Sequence, residues 1–185
     1  MKIIDINAID SLENTTKVAK SGGVFIFPTD TVYGIGCVLE ESAIEKLYKI
    51  KNRPANQPTA VLMNESVFDN YSLFEGQLPN EFWEGKMTII FKLEEFDLKF
   101  PPMITENGTI GVRLPKHHWL NSLISQVGPI VATSANKKGE QTPTEFAQIS
   151  EKLMEEVDLV IKTSKKLSQK ASTIFDLAKN QILRS

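Results

Sequence analysis

Short apolar runs alternate along the chain with stretches whose hydrophobic positions recur every three to four residues. The run GVFIFP at 23–28 is β-branched and aromatic, which predicts a short buried strand over 24–27. Pro28 has no N–H to give a ladder, so that strand should stop there. Further strands are expected in PTAVLM (58–63), MTIIF (87–91), TIGVRLP (109–115), PIVAT (129–133), DLVI (158–161), STIFDL (172–177) and QILR (181–184). Helical spacing is clearest at Ile44, Leu47 and Tyr48, on a face that runs into Lys49, Lys51 and Arg53 before Pro54 breaks it. A second helix follows the adjacent His117 and His118, with Trp119, Leu120, Leu123, Ile124 and Val127 on one side. Shorter helices are expected over 15–21, in LPNEFW (78–83) and in TEFAQISEKLMEEV (144–157), the last capped by Thr144 or Ser150. Helices interspersed with short strands predict one α/β domain over residues 1–185, built on a mixed sheet.

Composition narrows the function classes. With 185 residues, 41% hydrophobic and 24% charged, the chain is long enough for a real core. The net charge of −2 argues against general coating of a nucleic-acid duplex; such contact would need a local patch. One cysteine, Cys37, makes no internal disulfide and reads as a small core residue. Adjacent histidines cannot share a helical face at i, i+4, so a zinc site is unsupported, and capping or surface roles are expected of His117 and His118. No apolar stretch approaches 18 residues and MKIIDINAID lacks a signal-peptide core, so a cytoplasmic protein is expected.

Three polar segments leave apolar runs: FPTDT (27–31), GVRLP (111–115) and VATSANKKG (131–139). Each alone is an ordinary turn with capping residues. Together they suggest a ligand crevice at strand ends. Lys51 and Arg53 complement a helix C-terminus, or hold phosphate or carboxylate as point charge and planar fork. They are two residues apart, so a loop or fraying turn must bring them together. Arg113 lies in an apolar strand context, which asks for a reason such as a ligand anion. Ser134 and Asn136 supply a hydroxyl and an amide just past PIVAT. No Walker loop, dinucleotide-binding glycine pattern or hydrolytic triad is present. Lys137, Lys138, Lys162, Lys165, Lys166 and Lys170 make a locally basic surface without an RNA-recognition motif.

FPTDTVYGIG, KNRP, GVRLP, VATSAN and ASTIFDL, in this order, resemble the YrdC/TsaC family of threonylcarbamoyl-AMP synthases, over residues 18–184. The resemblance implies a YrdC-like single α/β domain, with a twisted mixed sheet flanked by helices and an open substrate cleft. It also implies synthesis of L-threonylcarbamoyladenylate and pyrophosphate from L-threonine, bicarbonate and ATP with Mg2+. A separate transferase complex would then use the product for the t6A modification at position 37 of tRNA. By the same resemblance Lys51 and Arg53 are catalytic, and Thr31, Arg113, Ser134 and Ser172 bind threonine. Arg53, Thr109, Ala132, Asn136, Thr142 and Arg184 belong to the ATP side. Asp30 is a candidate proton acceptor or a turn cap.

The chain departs from the family pattern at WEGKMT (83–88), where relatives commonly carry WPGPLT, and at Gln57, Leu62, the NKKG segment and the terminal ILRS. The rival readings are carbamoyl-adenylate chemistry of the hydrogenase-maturation type and an RNA-binding or ribosome-maturation role without synthase activity, with a weak tRNA or RNA contact.

Overall fold

A computed structural model describes residues 2–54, 57–69, 78–137, 139–167 and 172–184. Ten strands form one mixed sheet: β1 (Lys2–Asp5), β2 (Phe25–Pro28), β3 (Tyr33–Val38), β4 (Val61–Leu62), β5 (Met87–Lys92), β6 (Thr109–Arg113), β7 (Ile130–Ser134), β8 (Leu159–Lys162), β9 (Thr173–Asp176) and β10 (Gln181–Arg184). Their order across the sheet is β1-β8-β2-β3-β7-β4-β6-β5-β9-β10. The first three are mutually parallel, β3 and β7 run antiparallel to their neighbours, and the β4–β6 and β5–β9 pairs are parallel. The helices are α1 (Ser11–Lys20), α2 (Glu41–Lys51), α3 (Glu65–Asp69), α4 (Asn80–Trp83), α5 (His118–Val127) and α6 (Glu151–Glu155).

The expected strand at 24–27 ends at Pro28, as its missing N–H requires. The expected helix over 15–21 is longer and earlier, at Ser11–Lys20. PTAVLM contributes only the two residues of β4, although Met63 still gives its N–H to Arg113. The stretch 144–157 is a 3-10 turn at Phe146–Gln148 followed by the short α6. Ser150 sits at the N-cap position of α6 without a side-chain cap, while the Thr144 hydroxyl bonds Gln148 instead. His117 is a working cap, its Nδ1 accepting the Leu120 N–H at 3.4 Å. Cys37 is buried in β3, and that burial raises its thiol pKa to about 12.

The core is continuous from α1 and α5 to an aromatic cluster of Phe68, Phe82, Trp83, Phe91, Phe96 and Phe100 around β5. The cleft opens over the centre of the sheet that this core supports.

Candidate active site

The geometry begins at the β2–β3 corner. The Thr29 hydroxyl accepts N–H bonds from Thr31 and Val32, both at 3.1 Å, and donates to the Val32 carbonyl at 2.7 Å. Pro28 fixes the entry and Thr29 closes the turn on itself. Thr31 is thereby held in the wall of a cleft of about 410 Å³, with Asp30 beside it in the turn.

The floor of that cleft follows from register. Leu62 pairs with Arg113, Arg113 with Thr88, Thr88 with Ile174, and Ile174 with Arg184. Directly opposed residues share a sheet face, so all five line one wall. Gly34 and Gly36 face Ser134 and Ala132 on the same side. A Cβ on Gly36 would lie 2.5 Å from the Val131 carbonyl oxygen, so this stretch of floor admits no side chain.

Thr31, Arg53, Arg113, Ala132, Ser134, Thr142, Ser172 and Arg184 all line this cleft. Arg113 is 7% exposed. Its Nη2 donates to Asp30 Oδ1 at 2.7 Å and its Nε to the Gly85 carbonyl at 3.0 Å. Burial lowers its pKa, opposed by the Asp30 charge and reinforced by Arg184. Arg53 follows the left-handed Asn52 (φ 48°), which ends α2 and redirects the chain. Its guanidinium donates to the Gln57 and Pro58 carbonyls and stacks 5.7 Å from the Tyr48 ring centre. Arg184 donates to the Ser172 carbonyl at 2.8 Å. Three arginines thus meet a wall of hydroxyls.

Three expected residues, Thr109, Lys51 and Asn136, do not line this cleft. Thr109 starts β6 opposite Lys92, at the other end of the strand from Arg113, and its hydroxyl donates to Glu106 O at 2.7 Å. It does not line the cleft. Lys51 lies beneath the VATSAN segment, 8% exposed, donating to the carbonyls of Ser134 (2.7 Å) and Asn136. It lines a smaller adjoining hollow of about 150 Å³, with Arg53 and Asn136. Burial, then the nearby Arg53 charge, lowers the Lys51 pKa to about 8, against the Glu140 carboxylate. Asn136 binds back to its own loop through the Glu140 carbonyl at 2.7 Å.

Thr29 and Thr133, from the FPTDT and VATSANKKG segments, also line the cleft, as do Thr59 and Thr88 from strand-like runs where no site residue is expected. Thr88 lies within 2.8 Å of Ser172, hydroxyl to hydroxyl. Its signal was available: one polar residue inside MTIIF, on the face opposite Ile89. Among the departures, Gln57 and Leu62 line the cleft, whereas Lys86 pairs with Glu84 at the surface. Of the lysine-rich segments, Lys137 pairs with Glu156 and Lys166 with Glu145, while Lys162 and Lys165 are exposed. Lys138 and Lys170 lie outside the described residues.

No cluster of three or more His, Cys, Asp or Glu among the described residues could hold a metal ion, and no described carboxylate lines the cleft. No described helix is long and apolar enough to cross a membrane.

The family model for Sua5, YciO and YrdC, described as telomere recombination, matches residues 17–185. The chain belongs to this family. It is 31% identical over 193 residues to a protein of Methanocaldococcus jannaschii, covering 99% of this chain and 89% of that one. To the threonylcarbamoyl-AMP synthase of Pyrococcus abyssi it is 30% identical over 168 residues, covering 85% of this chain. The chain spans 48% of that relative's length. The crystal structure of P. abyssi Sua5 complexed with L-threonine superposes with a TM-score of 0.82 at 26% identity, over 96% of this chain and 55% of that one. Escherichia coli YciO superposes with a TM-score of 0.81 at 25% identity, over 100% of this chain and 93% of that one. The fold is therefore that of a YrdC-like α/β domain, and membership of the family supports a nucleotidyltransferase-like, AMP-synthase type of activity.

Proposed function

We propose that this protein is an L-threonylcarbamoyladenylate synthase serving t6A modification of tRNA. The carrying observation is the convergence of Arg53, Arg113 and Arg184 on one hydroxyl-lined cleft. Guanidiniums suit the oxyanions this reaction requires, namely an amino-acid carboxylate and a polyphosphate, because their fork can meet two oxygens at once. Similarity to a Sua5 solved with L-threonine supports threonine as the amino acid.

The reaction balances without a covalent enzyme intermediate. The threonine amine attacks the bicarbonate carbon, forming the N–C bond and releasing water, to give N-carboxythreonine. One oxygen of that carbamate attacks the α-phosphorus of ATP, and the bond to the β-phosphate oxygen breaks as pyrophosphate leaves. The protein's contribution is orientation and charge stabilisation. Arg113 holds the threonine carboxylate, with Thr31, Ser134 and Ser172 around the amino acid. Arg53 and Arg184 hold phosphate oxygens, with Ala132, Asn136 and Thr142 toward the nucleotide. Lys51 acts from beneath the Ser134–Asn136 segment. Magnesium enters as a companion of the ATP phosphates, because the described lining offers it no carboxylate.

The test follows ATP conversion with bicarbonate and magnesium, comparing L-threonine, L-serine and no amino acid, and identifies the adenylate by mass. A threonine-dependent adenylate with stoichiometric pyrophosphate is expected. A folded protein that yields none with any amino acid would refute the proposal.

A further inference from the structure

We propose that Asp30 is a positioning residue, which with the Gly85 carbonyl fixes the Arg113 guanidinium for recognition of a substrate carboxylate. This rests on the reading of the cleft given above. Arg113 is held on two edges, through Nε and through one Nη2 hydrogen. Three of its five N–H donors have no partner among the described residues. Both partners are enclosed, with side chains 8% and 17% exposed. A guanidinium so enclosed has to be paired, and Asp30 is the paired charge. Fixing it in advance removes the rotamer entropy that binding would otherwise cost.

The same contact commits Asp30 Oδ1 to Arg113. It also accounts for the glycine inside WEGKMT. Gly85 has φ +76°, and a Cβ there would lie 2.9 Å from Asp30 Oδ2 and 2.8 Å from the Lys116 nitrogen. A side chain at 85 would therefore push on the carboxylate and twist the carbonyl that together orient the arginine. The β2–β3 turn and the loop before β5 are thus two halves of one clamp.

Three roles for Asp30 predict different results. As a positioning residue, Asp30→Ala weakens L-threonine binding about tenfold or more with ATP affinity unchanged, and Asp30→Asn, which keeps the acceptor oxygen, restores most of it. As a mere negative charge near the carboxylate, its removal would tighten threonine binding. As a base, Asp30→Asn would abolish turnover while leaving threonine affinity intact. Calorimetry with threonine and with ATP, together with the turnover of Asp30→Asn, separates these outcomes, and either of the last two overturns the proposal.

A measurement without substrate guards against a failure of the functional reading. The Arg113 Nε–H resonance, assigned by its loss in Arg113→Lys, should exchange with water about tenfold faster in Asp30→Ala and near the wild-type rate in Asp30→Asn. Unchanged exchange in Asp30→Ala would overturn the inference. Should the wild type bind no threonine, the proposed function fails and this exchange measurement alone decides the role of Asp30.

Discussion

Lys51 offers a quantitative test through stability rather than activity. Its ammonium is buried beneath the cleft and bonded to the carbonyls of Ser134 and Asn136. Burial, with the nearby Arg53 charge, lowers its pKa from the ordinary 10.5 to about 8. At about 1.4 kcal/mol per unit, the folded state disfavours the charged form by roughly 3 kcal/mol. Below about pH 8 the lysine is protonated whether the chain is folded or unfolded, and its contribution does not change with pH. Between about 8 and 10.5 the unfolded chain binds a proton that the folded chain does not. Stability from this group therefore rises with pH across that window and is lost again as pH falls toward 8. Lys51→Met removes the titration with similar volume. It also leaves two carbonyls short of a donor, but at every pH alike. Urea denaturation of both proteins from pH 7 to 10 isolates the effect, since other titrating groups cancel in the difference. The wild type should gain on the variant by about 1.4 kcal/mol per pH unit above pH 8, toward a total of roughly 3 kcal/mol. A difference independent of pH would refute the assignment of a perturbed, buried amine.

Other consequences can be checked independently. Arg53→Ala should lower turnover at least about 100-fold while the chain stays folded with a stability loss of about 1–2 kcal/mol, because the guanidinium also bonds the Gln57 and Pro58 carbonyls and stacks on Tyr48. A rate within a few-fold of wild type would remove Arg53 from the phosphate site. Gly36→Ala should destabilise by about 2 kcal/mol or more in urea, since the new methyl meets a backbone oxygen at 2.5 Å; a stable variant would show that β3 and β7 can spread. Cys37, with its pKa raised to about 12, should resist thiol reagents in the native state at pH 8 and react fully in denaturant. Rapid native labelling would contradict its burial in β3.

Most of the alternation was legible because strands in this sheet are short and apolar, and their ends carry Pro or polar residues. The misses have physical causes. β3 was invisible as a strand since Gly34 and Gly36 interrupt its apolar pattern, and it is held by ladders on both sides rather than by its own propensity. α1 was cut short because its buried face uses hydroxyls. Thr15 donates back to Ser11 O at 2.7 Å, and Ser11 donates to Ile6 O, so polar residues sit where apolar ones were sought. In the site, motif residues near strand ends were legible, but direction along a strand was not. Thr109 and Arg113 belong to one motif, yet β6 carries them to opposite ends. The split of Lys51 from Arg53 depends on one left-handed asparagine, which no periodicity announces.

Arg184 reaches the cleft from β10, the last strand in the sheet order. Among the described residues that strand pairs with β9 alone, its register slips between Ile182 and Arg184, and all four of its residues are exposed. Edge segments with few buried contacts open at far less cost than the rest of a fold. One of the three cations is therefore borrowed from an exposed edge of the sheet. The affinity measured for a phosphate-bearing ligand then includes the fraction of time that edge is closed. A change at β10, remote from the chemistry, can tune binding by altering that fraction alone, while the centre of the sheet and its geometry stay fixed.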